Sequence, residues 1–167
     1  MGRRPAPLAW VRGLCLFAAS RWTGRSAQPR LARGAGRVAL AAILLVAGVE
    51  HFRITAEFTA QVPPWLPAPE AIVYVSGVVE IVLGLALLLA VRPEHRVVVG
   101  WLVAAFFVVI FPGNISQFVT QTDAFGLDSD AARFIRLLFQ PVLVVVALWW
   151  TGAWRAFLVW RRLRTRR

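Results

Sequence analysis

The chain has 167 residues, a length that fits one domain, and 59% of them are hydrophobic while only 16% are charged. A soluble domain usually carries about a quarter charged residues, so this composition is unusual for a water-soluble protein. The net charge of +11 comes from 19 arginines, which lie in stretches separated by long apolar segments. Such a distribution excludes a folded nucleic-acid-binding face, and attraction to anionic lipid headgroups explains it more simply.

The first 36 residues form an Arg-rich segment. Its apolar stretch at 8–19 is too short to cross a membrane and is interrupted by Arg12. A cleaved signal peptide is an alternative, but the arginines that follow would then be exported, against the usual orientation signal. We predict a cytoplasmic extension that is part interfacial helix and part disordered. Its Cys15 is the single cysteine of the chain, so an internal disulfide is excluded and no metal site is predicted.

Residues 37–155 are predicted to form an all-α, four-helix transmembrane bundle, followed by a basic cytoplasmic tail at 156–167. About 20 mostly apolar residues are needed for each crossing. The segments 71–91, 97–122 and 137–154 meet this requirement, and the last helix is expected to start near residue 131. The apolar run 38–49 is shorter, so its helix must continue through Glu50 toward Glu57. Within the third span, the residues Pro112-Gly113-Asn114 are expected to interrupt the helix.

The arginines also predict the direction of the spans. With the N-terminus in the cytoplasm, 16 of the 19 arginines lie on the cytoplasmic side, and only Arg53, Arg133 and Arg136 lie outside. This is a strong positive-inside bias over short loops. Four tryptophans before or among the C-terminal arginines are typical of an interfacial aromatic belt. Both termini are therefore predicted to be cytoplasmic.

Polar side chains within the spans are the candidate functional residues, because they are costly in lipid and usually face the bundle interior or a cavity. We predict that all four spans contribute to one cluster in the outer half of the bundle, a candidate ligand site or proton relay. Its candidate residues are Glu50, His51, Glu80, Asn114, Arg136 and Gln140. Arg136 or Gln140 is expected to pair with Glu80 or Glu50. The alternative is a self-satisfied network that only fixes helix packing.

Two further residues near the outer boundary have competing interpretations. The loop at 62–69 contains four prolines, which make it stiff, and Trp65 within it is a candidate lid over the cluster. A plain interfacial anchor is the alternative for Trp65. Arg133 is expected to snorkel to the membrane surface, and Asn114 to cap the broken helix.

Five motifs occur in a fixed order along the chain: Gly-Val-Glu-His-Phe at 48–52, Val-Pro-Pro-Trp-Leu-Pro at 62–67, Ser-Gly-Val-Val-Glu at 76–80, Phe-Pro-Gly-Asn at 111–114, and Arg136 with Gln140-Pro141. Together they resemble the DoxX-like family of small bacterial membrane proteins over about residues 37–150. The chain departs from the family pattern at Gly113, where alanine is usual. The resemblance implies a four-helix bundle in the bacterial inner membrane. It also implies a redox association, since the family is named after a subunit linked to a thiosulfate:quinone oxidoreductase.

Three functions compete. The first is a redox-associated membrane subunit that binds a quinone near the polar cluster and acts with a partner redox protein, or as a homo-oligomer, rather than as an autonomous enzyme. Ligation of a haem by two histidines is not expected, because His51 and His95 belong to opposite membrane faces. The second is a non-catalytic scaffold or partner-binding protein, and the third is a small transporter, for which the inverted repeat is missing. The lipid bilayer is the expected surrounding in each case.

Overall fold

The computed structural model describes residues 30–165, and this part of the chain contains six helices. In chain order they are α1 (Arg30–Arg53), α2 (Thr55–Thr59), α3 (Pro69–Leu89), α4 (Pro93–Val119), α5 (Asp130–Thr151) and α6 (Ala153–Arg164). Four of them, α1, α3, α4 and α5, are long and apolar enough to cross a membrane. The predicted all-α, four-span bundle is therefore confirmed.

Large apolar side chains cover most of the outer surface of the bundle. Val75 of α3, Val109 of α4 and Ile135 of α5 are examples: their side chains are 63%, 73% and 66% exposed. A water-soluble monomer rarely exposes so much contiguous apolar surface. Hydrocarbon is the solvent that suits it, because helices satisfy their backbone hydrogen bonds internally.

The buried core lies where the four long helices meet. Its side chains are small or aliphatic, apart from one phenylalanine: Leu40, Ala41, Leu44, Leu83, Leu87, Val103, Ala104, Phe107 and Ala147. The helices pack mainly as two pairs, α1 with α3 and α4 with α5. Short connections make successive spans antiparallel.

The bundle has two chemically different ends. We call the end that carries α2 and the loop 120–129 the α2 end. The opposite end, with the turn at 90–92 and helix α6, we call the arginine end. Contacts between distant residues show which termini meet: Arg37 of α1 bonds to Ala90 after α3 at the arginine end, whereas Glu57 of α2 bonds to Phe125 at the α2 end.

Glycines allow α1 and α3 to approach closely. A Cβ placed on Gly77 would lie 2.7 Å from the Cβ of His51, and one placed on Gly48 would lie 2.8 Å from the carbonyl oxygen of Gly77. About two turns further along α3, Gly84 faces Leu45 and the backbone of Ala41 in the same way. Small residues at such crossings let two backbones pack without intervening side chains. This contact positions the polar residues of both helices.

The structure changes several predicted boundaries. Helix α1 begins at Arg30, so the last residues of the predicted extension, 30–36, are helical, and the rest of it, 1–29, lies outside the described residues. The same helix ends at Arg53 rather than near Glu57, and Glu57 belongs to the separate helix α2. Helix α5 ends at Thr151 because Gly152 adopts a left-handed conformation with φ of 79°.

The predicted break at Pro112-Gly113-Asn114 is wrong, since α4 continues from Pro93 to Val119 with Pro112 inside it. Proline removes one backbone donor, but packing against neighbouring helices permits it within membrane helices. Asn114 consequently lies within a helix and does not cap a broken one.

Candidate functional site

The central feature of the α2 end is a buried pair formed by His51 of α1 and Glu80 of α3. The imidazole Nδ1 lies 3.3 Å from Oε2 of the carboxyl, and both side chains are less than a tenth exposed. The same Nδ1 is 2.8 Å from the carbonyl oxygen of Ala47. Because a carbonyl only accepts, Nδ1 carries a hydrogen and donates it to Ala47. Oε2 of Glu80 is left buried without a hydrogen bond.

An aromatic row covers this pair. The ring of Phe58 in α2 stacks on His51 with 3.7 Å between centroids, and Phe125 meets Phe58 edge-on at 4.8 Å. The side chain of Glu57 holds Phe125 in place, because the backbone N–H of Phe125 donates to Oε2 of Glu57 at 2.6 Å. Phe125 has φ of 59°, which is rare for a bulky side chain and marks a locally strained position. Helix α2 and the loop 120–129 thus close the bundle above His51.

Arg136 of α5 lies on the far side of Phe125. Its guanidinium carbon is 4.4 Å from the centroid of the Phe125 ring, and its Nη2 donates to Oε1 of Gln61 at 3.0 Å. Two donors in this part of the site are buried without partners, Nε of Arg136 and Nε2 of Gln61. A continuous series of contacts therefore joins Glu80 to Arg136 through one histidine and two phenylalanines.

Asn114 and Gln140 form a second polar contact, between α4 and α5. The amide Nδ2 of Asn114 donates to Oε1 of Gln140 at 3.0 Å, and Nε2 of Gln140 donates to the carbonyl oxygen of Phe107 at 2.8 Å. Gln140 is buried. The two amides satisfy each other and tie α4 to α5, as expected for side chains that hold membrane helices together.

The predicted pairing of Glu80 or Glu50 with Arg136 or Gln140 is wrong. Glu50 instead accepts a hydrogen bond from Arg53 at 2.7 Å, one turn away on the same helix, in a largely exposed pair. Arg136 donates to an amide, and Gln140 bonds to another amide and a carbonyl. The polar residues of the four spans therefore share one end of the bundle but divide into separate contacts.

The side chain of Trp65 is 72% exposed in this structure, and its role as a lid stays a prediction. An interfacial anchor agrees better with this exposure. Arg133 differs from its prediction: it is 6% exposed and bonds to Asp123 and, at 2.9 Å, to Asp130. Its partners lie in the adjacent loop and the first turn of α5, so the side chain does not need to reach the membrane surface.

Three site residues were missed from the sequence: Phe58, Gln61 and Phe125. They lie in α2 or in loops, outside the spans in which polar residues were sought. Gln61 could have been found from the sequence, since it is a polar residue immediately before the proline-rich loop at 62–69. The two phenylalanines had none, because their role depends on the tertiary contact between α2 and the loop 120–129.

The matched family model covers most of the bundle. Residues 40–151 match a family described as a domain of unknown function, DUF8561. This is more than half of the chain. The chain belongs to the DUF8561 family. No curated protein and no solved structure matches it.

The DUF8561 region contains the whole α2 end, from His51 to Gln140, whereas the first part of α1 and helix α6 lie outside it. Within residues 30–165, no group of three or more His, Cys, Asp or Glu side chains is arranged to hold a metal ion. The chemistry that the described residues offer is instead hydrogen bonding and proton exchange. Two donors and one carboxyl oxygen of the residues described above are buried without hydrogen-bond partners: Nε of Arg136, Nε2 of Gln61 and Oε2 of Glu80.

Proposed function

We propose that the chain is a quinone-linked redox subunit of the bacterial inner membrane, and that its α2 end binds the quinone headgroup. The observation that carries this proposal is Oε2 of Glu80, a buried carboxyl oxygen that makes no hydrogen bond. Buried polar atoms in native proteins are nearly always paired, so one left alone beside a histidine calls for a ligand.

The complementary groups of a quinone headgroup support the proposal. Its carbonyl oxygens accept hydrogen bonds, which suits the free donors Nε2 of Gln61 and Nε of Arg136. The hydroxyl of the reduced form donates, which suits Oε2 of Glu80. The rings of Phe58 and Phe125 supply flat apolar surfaces of the kind that bind an aromatic headgroup.

His51 and Glu80 provide a place for protons. Imidazole titrates near neutral pH, and a carboxyl 3.3 Å away can exchange a proton with it. A bound quinone supplies two-electron, two-proton chemistry, with both electrons coming from a partner redox protein. The chain has one cysteine and two histidines at opposite ends of the bundle, so it lacks a dithiol or a two-histidine haem site of its own.

The proposal includes a location in the bacterial inner membrane and an orientation of the chain within it. The positive-inside bias supports a cytoplasmic N-terminus and C-terminus, with the α2 end on the outer side. The five motifs that resemble DoxX-like proteins support both the inner membrane and the redox association. Four of these motifs lie within the spans α1, α3, α4 and α5, and the proline-rich motif lies in the loop between α2 and α3.

The test is a quinone titration of the purified full-length chain in nanodiscs. Tryptophan fluorescence would follow binding of the reduced, quinol form of a short-chain ubiquinone or menaquinone analogue, and solvent extraction would identify any quinone that copurifies. We expect saturable binding that weakens about tenfold in Glu80→Gln, the effect of one buried hydrogen bond to a charged group. Glu70→Gln is the matched control, because Glu70 is an exposed carboxylate on the same helix.

Absence of copurifying quinone together with absence of saturable binding would contradict the proposal. A non-catalytic scaffold would then be favoured, and one observation supports it: Asn114, Gln140 and Arg133 are already paired within the protein. In that case Glu80→Gln and His51→Ala would change only stability or expression.

A further inference from the structure

Two arginines at the arginine end converge on one neutral carbonyl group. Arg37 of α1 donates through Nη1 to the carbonyl oxygen of Ala90, and Arg96 of α4 donates to the same oxygen through Nε at 2.9 Å. Nη2 of Arg96 donates to the carbonyl oxygen of Val91 at 2.8 Å. Each guanidinium carries five N–H donors, so both keep donors that these carbonyls do not occupy.

Among the described residues, no carboxylate forms a salt bridge with Arg37 or Arg96. The sequence before Glu50 contains no acidic residue, and Glu94 is the single one between Glu80 and Asp123. Two like charges held beside one carbonyl repel each other unless an anion joins them.

The start of α4 adds backbone donors at the same place. The helix begins with Pro93, and the residue before it, Arg92, makes no capping hydrogen bond with its side chain. Pro93 has no N–H, and the N–H of Arg96 donates to the carbonyl oxygen of Arg92 at 3.1 Å, so the N–H groups of Glu94 and His95 are the two in this turn without an intrahelical partner. The helix dipole favours an anion near them, and Glu94 already places one carboxylate in the same turn. The guanidinium of Arg96 reaches back across this turn to the carbonyl oxygens of Ala90 and Val91.

A second pair of cations lies beside the first. Arg33 is one turn from Arg37 on α1, and it is near Arg155 of α6. Burial and the nearby charge of Arg33 lower the pKa of Arg155. Positive charges from the three helices α1, α4 and α6 therefore lie close together at the arginine end.

We propose that Arg37 and Arg96, with the first turn of α4, bind the phosphate group of an anionic phospholipid. The phosphodiester supplies a negative charge beside two guanidinium groups that form no salt bridge within residues 30–165, and guanidinium groups bind phosphate through paired hydrogen bonds. The lipid source is favoured over soluble phosphate because Phe157 of α6 contacts Trp154 and Trp160 of the same helix and Trp101 of α4, which together form an aromatic row. Such a row is typical of the headgroup boundary of a membrane.

Native mass spectrometry of the delipidated full-length protein tests this site. Phosphatidylglycerol, phosphatidylcholine and inorganic phosphate would be titrated separately, and we expect tight binding of the first alone. Arg37→Gln/Arg96→Gln should weaken that binding about tenfold or more, from the loss of two cations near the membrane surface. The matched control, Arg161→Gln/Arg162→Gln, removes the same charge from exposed positions of α6 and should change it less than about twofold.

Equal losses in the two double variants would overturn the proposal, because binding would then reflect only overall charge. Saturation by inorganic phosphate with no binding of phosphatidylglycerol would overturn the lipid assignment. If the site variant fails to fold, the unmodified protein still gives an answer. Phenylglyoxal modification of Arg37 and Arg96 should be slower in phosphatidylglycerol vesicles than in phosphatidylcholine vesicles, and an equal rate would show that both arginines only cap α3.

Discussion

Replacing Gly77 by alanine tests the close approach of α1 and α3 that places His51 beside Glu80. The added Cβ would lie 2.7 Å from the Cβ of His51 and 3.0 Å from the carbonyl oxygen of Gly48. To restore ordinary contact at 3.4 Å, the helices must separate by 0.7 Å, the difference between 3.4 and 2.7 Å. Overpacking of this kind costs about 1–3 kcal/mol, because one of the groups met is backbone and cannot rotate away.

Gly34→Ala is the matched control, since a Cβ on Gly34 of α1 meets nothing within 4 Å. Both substitutions gain about 1 kcal/mol of helix propensity, so the difference between them isolates the packing cost. Unfolding in mixed micelles, followed by tryptophan fluorescence, should show that Gly77→Ala is less stable than Gly34→Ala by about 1–3 kcal/mol. Its quinone affinity should fall too. If Gly77→Ala is as stable as the control, the close packing of α1 and α3 is refuted.

Three further changes test other contacts. Asn114→Ala and Gln140→Ala should show a coupling free energy of about 0.6 kcal/mol in a double-mutant cycle of unfolding in micelles, and additive effects would contradict their hydrogen bond. Arg133→Ala should lower the unfolding free energy by about 1 kcal/mol or more, since it removes a buried side chain with two partners, and an unchanged thermal midpoint would argue against that burial. In a Cys15→Ser background, Trp65→Cys should react with a membrane-impermeant maleimide in intact cells, whereas Cys15 of the unmodified chain should not; the reverse pattern would invert the proposed orientation.

The positions of the spans were predictable because lipid imposes a length and an apolar composition on any helix that crosses it. The need for about 20 residues correctly extended the first span beyond Val49, and α1 indeed continues through Glu50 to Arg53. Periodicity also placed Glu80 on the glycine-bearing face of its helix, the face that packs against α1. These results follow from local sequence and the solvent alone.

The partners of the polar residues were decided by tertiary structure. Glu80 or Glu50 was expected to meet Arg136 or Gln140, but the glycine contact between α1 and α3 brings His51 to Glu80 instead. Sequence spacing fixes which face of a helix a side chain occupies, yet the neighbour of that face depends on how the four helices pair. Phe58 and Phe125 entered the site for the same reason, because a short helix and a loop far apart in sequence meet over His51.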